Sequence, residues 1–124
     1  MRPLAILLTF ALASFAGAQP VSAPPEAREL AGRTAAAPQR CVLIQAGEAL
    51  RISETDPRLL LYGRGRTIWA NRLAPSCGID FNDILVTDPI GPHYCRGDLV
   101  RSIDRVSRVP GAACKLRDFV PYTR

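Results

Sequence analysis

Four cysteines, a single histidine, eleven carboxylates and a surplus of arginines are the side chains in this sequence that could carry chemistry. Cys41, Cys77, Cys95 and Cys114 are separated by 36, 18 and 19 residues. No C-x-x-C pair occurs, so neither a zinc knuckle nor a thioredoxin-like redox pair is supported. An even cysteine count in an exported chain reads as two disulfides. Three pairings are open and spacing selects none of them. The expectation adopted is Cys77–Cys95 nested inside Cys41–Cys114.

His93 lies in Gly91-Pro92-His93-Tyr94-Cys95, a turn-like setting. A histidine acting as general base needs a nucleophile or carboxylate in reach, and no motif supplies one. Ser76 sits in no G-x-S-x-G elbow. Asp88, His93 and Asp98 have no spacing specific to a metal. Glu54 with Asp56, and Asp80 with Asp83, are paired too closely to suggest carboxylates facing across a glycosidase cleft. Asp56 before Pro57 and Asp88 before Pro89 read as turn residues. Gly63-Arg64-Gly65 lacks the lysine and helix of a phosphate loop. Arg96-Gly97-Asp98 matches the adhesion tripeptide, but three residues in an arginine-rich chain are a weak signal. These features point away from an enzyme and to no cofactor.

Charge is the remaining chemical clue. Beyond residue 18 the chain carries fifteen basic and eleven acidic residues, and fourteen of the fifteen are arginine. Arg64 and Arg66 cluster at one turn; Arg101 and Arg105 cluster later, among Asp98 and Asp104. These four are the expected contacts for an anionic partner, such as an envelope polymer, or for an envelope protein. The excess is too mild, and too poor in interleaved aromatics, to argue for nucleic acid. Of the six aromatic residues beyond residue 18, Trp69 is expected in the core rather than on a ligand platform.

The elements that must position these groups begin with a leader. Arg2, the apolar run Leu4 to Ala13 and the small residues Ala16-Gly17-Ala18 form a secretory signal pattern ending at residue 18. The apolar stretch is shorter than the roughly 20 residues needed to cross a bilayer, so no stable membrane insertion is expected after cleavage. Residues 19–40 are rich in alanine and proline and read as a flexible linker. Residues 41–124 are expected to form the four-cysteine, β-rich domain.

Within that domain Cys41 to Ile44 is β-prone, and Leu50 and Ile52 alternate with Arg51 and Ser53. Arg58 to Tyr62 and Thr67 to Trp69 flank Gly63-Arg64-Gly65 and read as a hairpin. Ile84 to Val86 is a further run closed by Asp88-Pro89. Asp98 to Val106 is open between strand and helix, with strand slightly favoured. Pro110-Gly111 reads as a turn, and Phe119 to Tyr122 as a final edge strand, because Pro121 cannot donate to a ladder. Five to seven short strands imply a mainly β fold: a small antiparallel sheet folded into a sandwich-like or barrel-like domain stapled by disulfides.

The segments Cys95-Arg96-Gly97-Asp98-Leu99-Val100 and Gly111-Ala112-Ala113-Cys114-Lys115-Leu116-Arg117-Asp118-Phe119-Val120-Pro121-Tyr122 carry a resemblance. Together with the four cysteines, they resemble a group of small exported proteobacterial proteins, sphingomonad-like in source, classed as a domain of unknown function. The likeness spans roughly Cys41 to Tyr122. It implies periplasmic placement and a disulfide-bonded domain, and assigns no active residue. The function expected from these readings is a periplasmic, or alternatively secreted, non-enzymatic binding or envelope accessory protein. The alternatives are an inhibitor of an exported hydrolase, acting through the Gly63 to Gly65 tip or the Pro89 to Tyr94 loop, and a small hydrolase using His93.

Overall fold

The structure, a computed structural model, describes residues 27–124; the expected signal peptide and the first part of the expected linker lie outside the described residues. Among the described residues the fold is mainly β, with ten strands in three antiparallel sheets and one 3-10 turn at Arg28–Leu30. The strands are β1 (Thr34–Ala35), β2 (Cys41–Leu43), β3 (Arg51–Ile52), β4 (Leu59–Tyr62) and β5 (Thr67–Arg72), followed by β6 (Asp83–Thr87), β7 (His93–Cys95), β8 (Leu99–Asp104), β9 (Pro110–Lys115) and β10 (Val120–Thr123). Strand order is β1-β10-β5-β4-β3 in the large sheet, β6-β8-β9 in a second and β2-β7 in a third.

The large sheet is buried on both faces, and β4 shows why. Its Leu-Leu-Leu-Tyr run is apolar at every position, and all four residues are buried. Alternation sends Leu60 and Tyr62 to one side and Leu59 and Leu61 to the other. The first side packs with Val42, Tyr94, Val100, Leu116 and Phe119 from the smaller sheets and the segment leading into β10. The second packs with Ile68, Ala70 and Tyr122 of its own sheet, and with Ala27 and Leu30 laid over them.

Residues 27–40 are therefore part of the fold, not the flexible linker expected of them. Leu30 is 2% exposed, and β1 pairs with β10. Without this cover the apolar second face would meet water. Burying Leu30 alone is worth about 2 kcal/mol. Glu29 ties the same segment down: its carboxylate accepts the Glu54 N–H at 2.7 Å and the Ser53 hydroxyl at 3.2 Å.

The disulfides are Cys41–Cys95 and Cys77–Cys114, an interleaved pattern in place of the nested one expected. Register explains the first, since Cys41 lies directly opposite Cys95 in the β2–β7 pair. The second joins the loop after β5 to β9, and so ties the large sheet to the three-stranded one.

The expected hairpin forms, with Tyr62 opposite Trp69. Gly63 has φ +84° at its tip, and a Cβ there would sit 3.1 Å from both the Thr67 carbonyl and the Trp69 ring. Trp69 is partly buried and packs against the first core. Residues 99–104 are a strand, with Val100 and Ser102 turned inward. Pro110 and Gly111 do not turn the chain but belong to β9; the reversal comes earlier, where Asp104 accepts the Val106 and Ser107 N–H groups and Arg108 adopts φ 62°.

The last strand is interior, not an edge. The chemistry behind the edge expectation still operates, on one side only. The Pro121 carbonyl accepts from Ala36 at 2.9 Å, and a strand residue's nitrogen points the same way as its carbonyl. The missing donor thus faces the short β1, and the β5 side of the ladder keeps its bonds.

Candidate functional site

Register gathers arginines that lie far apart in sequence. Thr34 faces Thr123, and Thr123 faces Thr67. One residue further, the same alignment sets Arg33 opposite Arg124 and Arg124 opposite Arg66. The Arg124 N–H donates to the Arg66 carbonyl at 3.1 Å, and Arg33 Nη1 donates to that carbonyl at 2.7 Å. Carried one residue past the strand ends, alternation puts these three positions on the side of Leu61, Ile68 and Tyr122. Arg51, directly opposite Leu61, falls on that face as well. Arg64 stands at the hairpin tip, its side chain 76% exposed, with Nε 3.9 Å from a Glu48 carboxylate oxygen.

Five arginines thus fall at one end of the sheet, where the charges of Arg33, Arg51, Arg64 and Arg124 act on one another with Glu48 and Glu29 nearby. Like charges directly across a sheet are destabilising. Glu29 is already committed. Burial opposes its charge, but hydrogen bonds from the Glu54 N–H and the Ser53 hydroxyl, with the Arg51 charge nearby, outweigh that and lower its pKa. Partial burial, then the Arg64 charge, lowers the pKa of Arg51 against the pull of Glu48 and Glu29. Burial followed by the Arg124 charge does the same for Arg33. Both remain cations at neutral pH. Two of their nitrogens, Arg51 Nη1 and Arg33 Nε, are buried without a hydrogen-bond partner among the described residues. A buried donor left unpaired costs about 1–3 kcal/mol.

The opposite end of the sheet also carries arginines, and two of them are in ion pairs. Arg72 meets Asp56 at 2.9 Å, and Arg96 meets Asp118 at 2.9 Å. The adhesion-like tripeptide lies here with both ends engaged. Arg96 holds Asp118, and the Asp98 carboxylate turns back to accept the Cys95 N–H at 2.8 Å.

Of the four arginines expected to act together, the structure unites Arg64 and Arg66 and leaves two elsewhere. Arg101 projects from β8 opposite Val86 and lines a groove of about 610 Å³ with Ile90 and Leu99. Arg105 follows β8, where its Nε donates to the Asn82 carbonyl at 3.3 Å. Sequence reading missed Arg33, Arg51 and Arg124. Arg51 stood in an alternating run that marked its face, but Arg33 lay in the segment taken for a linker. His93 is exposed on β7, opposite the exposed Leu43. Among the described residues, no group of three or more His, Cys, Asp and Glu is placed to hold a metal. Nor is any helix among them long and apolar enough to cross a membrane.

Comparison with protein families, curated proteins and solved structures returned no match for this chain.

Proposed function

We propose that this chain is an exported, non-catalytic binding module of the cell envelope, and that the arginine-bearing end of the large sheet is its contact surface for an anionic partner. The observation that carries this reading is the row Arg33–Arg124–Arg66, with Arg51 and Arg64 beside it. A fold that sets like charges side by side gains stability when an anion that binds it arrives. Two disulfides and the leader-like first 18 residues support an oxidising compartment outside the cytoplasm, the periplasm being the first choice. The likeness to small exported four-cysteine proteins supports the same placement. Catalysis through His93 forms no part of this reading.

The test is retention on an immobilised anionic polysaccharide across a salt gradient. The paired substitution Arg64→Glu and Arg66→Glu is expected to abolish retention, while Arg101→Glu with Arg105→Glu leaves most of it. The reverse pattern would move the site to the three-stranded sheet. Retention indifferent to both pairs would remove the anionic-partner reading. A second reading, a rigid loop entering the cleft of a hydrolase, is favoured by the exposed Arg64 on a tip whose base is packed against Trp69. Inhibition of a lysozyme or protease, lost in Arg64→Ala, would select it.

A further inference from the structure

The loop between β6 and β7 presents an exposed apolar side chain beside a groove. Its sequence is Asp88-Pro89-Ile90-Gly91-Pro92, so two residues of fixed φ flank Ile90 and Gly91. The Pro92 carbonyl accepts the Ile44 N–H at 2.8 Å and ties the loop to the end of β2. Ile90 is held there 92% exposed. The groove lies on the outward face of the three-stranded sheet. Alternation turns Val100 and Ser102 inward and Leu99 and Arg101 outward, and Val86, opposite Arg101, shares their side. Val86 and Leu99 are 41% and 44% exposed. With Ile90, Asp88 and Arg101 they line the groove of about 610 Å³. Single apolar side chains in water are ordinary, but three around one groove mark an interaction surface.

The same groove carries unspent charge of both signs. Asp88 belongs to the loop and Arg101 to β8, and both are exposed. The ion pairs among the described residues are Arg64–Glu48, Arg72–Asp56 and Arg96–Asp118, and neither Asp88 nor Arg101 takes part in one. Asp98, the remaining charged residue of the groove, is already committed to the Cys95 N–H. A protruding isoleucine thus stands next to an apolar hollow, and a free carboxylate next to a free guanidinium. Opposites side by side on one surface are what an isologous contact requires, because a two-fold axis sets each against its complement on the other copy.

We propose that this face joins two copies of the chain in an isologous dimer, with Ile90 of each copy seated against Val86 and Leu99 of the other. Seating Ile90 in this way carries Asp88, two residues back on the same loop, to the partner's Arg101, and the axis repeats the contact. The face belongs to the three-stranded sheet and uses none of the five arginines at the end of the large one. One loop and one groove per copy make a small contact, so association on the order of tens of micromolar is expected. The polysaccharide gradient is run well below that concentration, which keeps the two tests separate.

The experiment is sedimentation velocity of the disulfide-intact protein from about 1 µM to about 1 mM, with a reversible monomer–dimer equilibrium expected. Ile90→Asp should weaken it about a hundredfold, since an apolar anchor contributes about tenfold and the axis counts it twice. Asp88→Arg and Arg101→Asp, each alone, should weaken it about tenfold at low salt and less at high salt, because each sets like charges against one another across the axis. Mixed in equal amounts, these two variants should recover the original affinity to within about threefold, because both contacts in a mixed pair again join opposite charges. An attraction between Asp88 and Arg101 within one copy does not predict that recovery. Far-UV circular dichroism checks folding, and Leu99→Asp takes the place of any variant that does not fold. A protein that stays monomeric throughout the range overturns the dimer and leaves the groove to a partner of another kind. A dimer indifferent to Ile90→Asp, or charge variants that do not recover on mixing, overturns this arrangement as well.

Discussion

Asn71 offers the sharpest test of how the sheets are joined. It lies in β5 opposite Leu60 and is fully buried. Its side-chain amide donates to the Arg117 carbonyl at 2.6 Å, and its amide oxygen accepts the Arg117 N–H at 2.9 Å. Arg117 stands just before β10, so one side chain completes the backbone bonding of the segment that leads the chain into the middle of the large sheet. Asn71→Leu keeps the volume and removes both bonds. Each stranded backbone group costs about 1–3 kcal/mol, reduced where water can reach it. The exposed Arg117 side chain leaves such a path, so a total of about 2–3 kcal/mol is expected. For a domain of this size that corresponds to a fall in Tm of about 10–20 °C. The assay is thermal unfolding by circular dichroism with both disulfides intact, run beside Asn71→Ala, which adds a cavity and should be no more stable. A leucine variant that melts within about 3 °C of the unchanged protein would refute the assignment of stability to these two bonds.

Three further outcomes follow from the same structure. Leu30→Ala should lose about 2–4 kcal/mol in denaturant unfolding, because it opens the second core; a loss near zero would return residues 27–40 to the status of a linker. Gly63→Ala should cost about 1–3 kcal/mol, since it forces a side chain into a positive φ against Thr67 and Trp69, and tryptophan fluorescence should change with it. Glu29→Gln tests a pH dependence whose sign is fixed. A carboxyl with a lowered pKa contributes stability above its ordinary value of 4.5 and loses it as pH falls through the folded-state value. The unchanged protein should therefore exceed Glu29→Gln in stability at pH 7, with the gap closing as pH falls below the ordinary value of 4.5. A gap that widens in acid would contradict the hydrogen bonds drawn to Glu29.

The hairpin around Gly63 could be read from sequence because its signal is local: two apolar runs and glycines that supply the required φ. Val100 and Ser102 were harder, since a buried serine breaks the apolar alternation and leaves a pattern compatible with a helix. Strand β9 gave no signal at all. Pro110, Gly111, Ala112 and Ala113 are poor strand formers, held by pairing with β8 and not by propensity. Leu30 was overlooked for a related reason, one apolar residue among prolines and alanines having no visible partner until β4 is seen to need covering on both faces. The cysteine pairing and the arginine row share a deeper limitation. Cys41 with Cys95, and Arg33 with Arg124 and Arg66, are neighbours only through register between distant strands, which no spacing along the chain encodes.

The interleaved disulfides bear on how the protein is made. A chain synthesised and delivered from its N-terminus presents Cys41 first, then Cys77, Cys95 and Cys114. Neither native bridge joins neighbours in that order. An oxidant that couples cysteines as they emerge would trap Cys41 with Cys77, and the remaining two with each other, both wrong. Correct maturation then requires either that oxidation wait until β7 has paired with β2, or that mispaired bridges be reshuffled by thiolate exchange. Yield in a host should accordingly depend more on disulfide-isomerising capacity than on oxidising strength, and an engineer producing this protein should supply the former.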